Sequence, residues 1–125
     1  MNRKFRSLAR GPKRLPMLLL VLVMTSSGLA GAATRNREAA EAYEQGLALL
    51  KNVQYDRAIE VLATAIRLDP RYAEAYYQRG NAFLRKGWSN WAIADFTAAI
   101  RINPSDAKAF NNRGVAYGEI GRAHV

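Results

Sequence analysis

A chain of 125 residues, 50% apolar and 23% charged, has the composition of a globular protein and room for one domain. It has no cysteine and a single histidine, His124, so a thiolate or histidine metal cluster and a disulfide framework are excluded, and no nucleophile–histidine triad can be built without His124. The net charge of +9 invites a nucleic-acid reading, but six of the 19 basic residues (Arg3, Lys4, Arg6, Arg10, Lys13, Arg14) fall in the first 14 positions, and from Ala33 onward 13 bases meet 10 acids, a net of +3 that is an ordinary protein surface.

The first segment is a leader. Met1–Arg14 is basic and carries no acid. Leu15–Met24 (LPMLLLVLVM) is apolar apart from Pro16, and small residues follow at Ala30-Gly31-Ala32. This order predicts a secretory signal peptide over residues 1–32, cleaved after Ala32. The alternative is an uncleaved anchor, since the run from Met17 to Ala33 is about 17 residues, the lower edge of a membrane span. No cysteine follows the run, so it is not a lipoprotein signal. The first reading places the folded part in the periplasm or outside the cell. The second leaves it anchored in the inner membrane and facing the periplasm. Membrane contact is expected only through this segment, and only if it is not cleaved.

Residues 33–38 are polar enough for a linker or for the frayed start of a helix. Helical spacing is clear from Glu38 to Lys51. Asn52–Gln54 breaks it, and Tyr55–Leu68 resumes it with Ala58, Ile59, Leu62, Ala65 and Ile66 on one stripe. Asp69-Pro70 ends the second helix, because the residue before a proline is pushed out of the helical region. Ala73–Lys86 predicts a third helix, stopped by Gly87, and about Asn90–Ile102 a fourth. Asn103-Pro104 repeats the stop, and Ser105 or Asp106 is a candidate cap for a fifth helix.

These helices are copies. Residues 39–70 and 73–104 align at an offset of 34 with eleven of 32 positions identical, and the pattern restarts at Ala107. The predicted units are 39–72, 73–106 and a partial 107–119. Small residues recur at Gly46, Gly80 and Gly114 and at Ala58 and Ala92, with large ones facing them at Leu49, Phe83 and Tyr117 and at Leu62 and Phe96. A glycine inside a helix costs about 1 kcal/mol relative to alanine. Close helix approach is therefore expected at each one. Two and a half units sit near the minimum for such an array, and the last helix is expected to leave apolar surface uncovered. Ile120–Val125 (IGRAHV) departs from the pattern and matches one translated frame of a common sequencing adapter. It is read as a non-native tail on a chain that naturally continues beyond about Glu119.

The repeat resembles the tetratricopeptide family. The residues carrying the likeness in the second unit are Tyr76, Gly80, Phe83, Ala92, Phe96, Ala99 and Pro104. In the first they are Gly46, Leu49, Ala58, Leu62, Ala65 and Pro70, with Ala42 small where bulk is usual. Phe110, Gly114 and Tyr117 begin the third. Ser89 replaces the tyrosine that Tyr55 supplies. The resemblance implies an all-α fold, an α-solenoid of tetratricopeptide helical hairpins about two and a half repeats long. It implies a concave groove lined by Tyr43, Leu47 and Lys51, by Glu74, Tyr77, Asn81 and Arg85, and by Lys108, Asn111 and Asn112. The implied function is a non-enzymatic scaffold that binds a protein or peptide, with no cofactor, metal or nucleic acid. The alternative is an accessory arm of a larger envelope enzyme whose catalytic domain lies further along. Asn81 and Asn112 match two places of the family's clamp for a terminal carboxylate, but Tyr77 stands where its first lysine belongs, and the clamp is not assigned.

Three further groups carry chemistry-bearing side chains. Glu38, Glu41 and Glu44 suit the start of a helix through its macrodipole better than they suit catalysis. Trp88 and Trp91 fit the end of a hairpin better than a stacking platform. Arg79 and Arg113 recur at the repeat period, which favours stem packing and pairing over phosphate binding.

Overall fold

The structure, a computed structural model, describes residues 28–123. The basic leader and the apolar run, which carry the signal-peptide reading, lie outside the described residues, as do His124 and Val125. Contacts divide the chain after Thr34, and the repeats fall in the unit from Arg35 onward. Among the described residues there are five helices and no strand. These are α1 (28–51), α2 (Tyr55–Leu68), α3 (Ala73–Arg85), α4 (Ser89–Ile102) and α5 (Ala107–Ala123). None is long and apolar enough to cross a membrane.

The fold is the expected all-α repeat. Four boundaries differ in detail. Residues 33–38, read as a linker, are helical, because no proline or glycine lies between Ala32 and Gly46 to stop propagation back from Glu38. α3 ends one residue early at Arg85, and α4 starts one early at Ser89. α5 runs past Glu119 to Ala123, its last turn tied by Arg122 to the Glu119 carboxylate at 2.8 Å. Of the two candidate caps, Asp106 does the work: its Oδ1 accepts from the backbone of Lys108 at 3.1 Å and of Ala109 at 3.4 Å. Ser105 instead donates to the Asn103 side chain.

Each hairpin closes on a notch. A Cβ built on Gly46 would stand 2.6 Å from Leu62, and one on Gly80 would stand 2.7 Å from the Phe96 ring. Real Cβ atoms do not come so close, so both glycines are there for the approach of the facing helix. Leu62 and Phe96 are the largest fully buried side chains. Burial of each contributes about 1.5–3 kcal/mol. The core forms two clusters along the stack. Ala42, Ala65 and Ala75 join α1, α2 and α3, while Phe83, Ala92, Phe96 and Ala116 join α3, α4 and α5. Gly114 differs from its two counterparts, with nothing within 4 Å of a Cβ placed there. The place taken by α2 against α1, and by α4 against α3, has no occupant against α5 among the described residues. Phe110, Val115 and Tyr117 are accordingly exposed.

α3 and α4 are joined by a bidentate ion pair. Arg79 donates through Nε to Asp95 Oδ2 at 2.7 Å and through the guanidinium NH2 to Oδ1 at 2.8 Å. Asp95 is only 5% exposed. Burial pushes its carboxyl above the ordinary carboxylate range, against the pull of Arg79, while the hydrogen bonds to Asp95 raise Arg79 further and hold it charged.

Candidate functional site

The first helix of each hairpin repeats a side chain every four residues on one face. In α1 these are Tyr43, Leu47 and Lys51, and in α3 Tyr77, Asn81 and Arg85. α5 begins at Ala107, so Lys108, Asn111 and Asn112 stand in its first two turns. Packing of α3 against α5 brings part of this set together.

Asn112 is the junction. Its Nδ2 donates to Tyr77 Oη at 3.1 Å and to Asn81 Oδ1 at 2.8 Å. Both hydrogens of that amide are thereby used. Lys108 places its ammonium 5.7 Å from the centre of the Tyr77 ring, within cation–π reach. The Tyr77 ring lies 5.9 Å from the core ring of Phe96, which fixes the tyrosine from behind. Asn111 is exposed and donates to Asn112 Oδ1 at 3.4 Å. Asn81 Nδ2 makes only a long contact of 3.5 Å, to Gln78. The surface so formed offers outward donors, the Asn81 amide and the Tyr77 hydroxyl, beside the Asn112 carbonyl as acceptor.

The same motif recurs one unit earlier in weaker form. Gln78, 34 positions before Asn112, stands beside the Tyr43 hydroxyl. Burial raises the Tyr43 phenol above its ordinary value, so it is a neutral hydroxyl. Its ring packs on Tyr72 at 5.0 Å. Leu47, half-buried, takes the place that Asn81 has in the second unit. Glu74, Lys51 and Arg85 are exposed and make no side-chain ion pair among the described residues. The structure thus gathers Tyr77, Asn81, Lys108 and Asn112 into one cluster and leaves Leu47, Lys51 and Arg85 outside it.

Sequence reasoning missed Gln78 and Asp95. The repeat offset to Asn112 was a usable signal for Gln78. Asp95 had none, because the first unit has Val61 at that place. Arg79 and Arg113 follow the packing reading. Arg79 lies over Tyr76 and Phe83, and Arg113 over Phe110 with a bond to Thr97 at 3.3 Å. Trp88 and Trp91 each pack on Phe83 with ring centres 6.0 Å apart. Among the described residues no group of three or more His, Cys, Asp or Glu could hold a metal.

Comparison with known proteins identifies the repeat. The family model described as TPR repeat matches residues 46–87, and that described as Tetratricopeptide repeat matches 73–106. Among solved structures, the Arabidopsis OM64 TPR domain is 31% identical, with 70% of this chain and 73% of that chain covered and a TM-score of 0.69. The second TPR of Spaghetti (RPAP3), bound to the HSP90 peptide SRMEEVD, is 29% identical over 74% of this chain and 85% of that one, with a TM-score of 0.71. The second TPR domain of human RPAP3, in complex with the HSP70 peptide SGPTIEEVD, is 28% identical over 73% of each chain, with a TM-score of 0.65. No curated protein matches the sequence.

Proposed function

Since the chain belongs to the tetratricopeptide repeat family, we propose that it is an exported, non-catalytic binding module that takes an extended peptide on the face lined by α1, α3 and α5. The observation that carries this reading is the Asn112 amide, which bonds Tyr77 and Asn81 at once and fixes a polar seam between two helices. Such a seam presents donors and an acceptor at fixed places, which is what an extended main chain needs to bond without reordering the site. Tyr43 and Tyr77 add rigid contact area. Lys51, Arg85 and Lys108 favour a segment with acidic character. Support for a peptide ligand comes from the two similar RPAP3 domains, whose structures hold one. Support for export comes from the order of charge, apolar run and small residues in 1–32. The non-catalytic reading is supported by the family match, since such repeats serve as interaction surfaces.

The test is a screen of the full chain against a library of extended peptides, followed by titration of the captured sequences. Asn112→Ala and Tyr77→Ala are each expected to weaken binding by at least fivefold, about 1 kcal/mol. Charge reversal of Lys51, Arg85 and Lys108 together is expected to remove it. Captured peptides that bind the reversed protein as well as the original would sink the groove. Mass spectrometry of the exported protein tests the leader, with Ala33 expected as the first residue.

A further inference from the structure

One edge of the repeat unit gathers the unbalanced charge of the folded part and both tryptophans of the chain. The turns between α1 and α2 and between α3 and α4 lie in residues 51–57 (KNVQYDR) and 85–91 (RKGWSNW). They hold Lys51, Arg57, Arg85 and Lys86 against one acid, Asp56, a net of +3. From Ala33 onward the whole chain nets +3, 13 bases against 10 acids, so outside these two turns nine bases meet nine acids. All of the excess sits here.

The structure joins the two turns into one strip. Lys86 pairs with Asp56 across them. Val53 to Arg57 and Lys86 line one shallow pocket of about 320 Å³, and Gly87 to Trp91 line the next, of about 290 Å³. The Lys86 ammonium stands 4.1 Å from the centre of the Trp88 ring. Val53 and Trp91 are each 64% exposed and Trp88 47%. The end of α5 reaches this edge beside Gly87 and Asn90, where Glu119 is neutralised by Arg122 and adds no net charge.

Indole rings half out of the protein, at the tips of turns and interleaved with Arg and Lys, suit a surface that is apolar at one depth and anionic just above it. Trp and Tyr prefer the headgroup level of a bilayer, and long basic side chains reach lipid phosphates from there. A peptide partner needs walls, and turn tips provide a flat rim. We propose that this edge docks on an anionic lipid surface, with Trp88 and Trp91 seated among the headgroups and Arg57 against phosphates. Lys51 and Arg85, at the ends of α1 and α3, border both this edge and the peptide groove, whereas Arg57, Trp88 and Trp91 belong to the edge alone.

Trp88 and Trp91 are the chain's two tryptophans, so the intrinsic emission of the full chain reports this edge alone, whatever the leader does. The experiment adds phosphatidylcholine vesicles with and without phosphatidylglycerol, including brominated acyl chains as a quencher. A blue shift with quenching is expected on the anionic vesicles and not on the neutral ones. A Lys or Arg near such a surface is worth roughly fivefold in partitioning. Arg57→Glu, a change of two charges, should therefore weaken the response roughly 25-fold, and Asp56→Asn should tighten it roughly fivefold. Circular dichroism checks that both variants are folded. The idea fails if the chain pellets with anionic vesicles while its emission stays put. It also fails if neutral vesicles give the same response, or if neither variant moves the titration.

Discussion

The first hairpin, α1 with α2, and the second, α3 with α4, share one packing device and differ in what surrounds it. In both, a bulky side chain fills the notch of a helical glycine: Leu62 on Gly46, Phe96 on Gly80. The second hairpin adds the Arg79–Asp95 ion pair, where the first has Gln45 and Val61. The second turns through Gly87 at φ 79°, and the first through Val53 at φ 60°. Both hairpins form regardless. The shared notch is therefore what specifies the hairpin, and the ion pair and turn glycine are additions that only one copy carries. Substitutions that move features from one copy to the other test this directly.

The largest effect is expected from Asp95→Ala. It leaves Arg79, partly buried at 22% side-chain exposure, without its partner. Removing one member of a fully buried pair costs about 3–5 kcal/mol, and the partial exposure of Arg79 brings the expectation to about 2–3 kcal/mol. Transplanting the first unit's residues, Arg79→Gln with Asp95→Val, should cost clearly less than the single change, because no charge is stranded and Val61 shows that the place accepts an apolar side chain. Urea unfolding of the three proteins reads the difference. A double variant as unstable as Asp95→Ala would mean that the pair specifies the second hairpin after all.

The glycines come next, and here the sign is the test. Alanine in place of a helical glycine gains about 1 kcal/mol where space is free. At Gly114 space is free, so Gly114→Ala should stabilise by about 0.5–1 kcal/mol. At Gly80 the new methyl would meet the Phe96 ring, and overpacking costs about 1–3 kcal/mol, enough to reverse the gain. Gly46→Ala should also lose, through Leu62. Three substitutions of identical chemistry at one repeat position would then split two against one. Equal gains at all three would show that the helices do not approach at Gly46 and Gly80 as closely as the structure has them.

Much of this was legible in the sequence, and the reason is periodicity. A 34-residue repeat lets each unit check the other, so the helix stripes, the Asp-Pro and Asn-Pro stops and the glycine notches could all be read twice. What could not be read was whatever broke the repeat. Asp95 drew no reading, because the first unit has Val61 at its place and its partner Arg79 lies 16 residues away on another helix. Gln78 went unnoticed because its polarity fits an exposed helical position equally well. Asn112 was chosen by resemblance, and its two bonds into α3 come from the way α5 packs, which local spacing does not encode. The resemblance ranked Asn111 alongside it, and the structure separates the two, one exposed and one joining the helices.

The effect expected at the turns is of the same small size as that at Gly114, and it sharpens the comparison most finely. Val53 and Gly87 occupy the same place in the repeat, and both have positive φ. For a β-branched residue this region is strained, since Cβ crowds the backbone, at a cost of about 1–2 kcal/mol. Val53 is largely exposed, so its side chain gains little burial in return. Val53→Gly relieves the strain and adds some freedom to the unfolded chain, which offsets part of the gain. The net should be a stabilisation of about 1 kcal/mol, and Gly87→Val should lose a similar amount. Nothing lies within 4 Å of a Cβ at Gly87, so the loss there would be conformational rather than steric against neighbours. Paired denaturation curves measure both. If Val53→Gly destabilises, the valine side chain makes a contact worth more than its strain, and the first turn is held by packing that the second does not need.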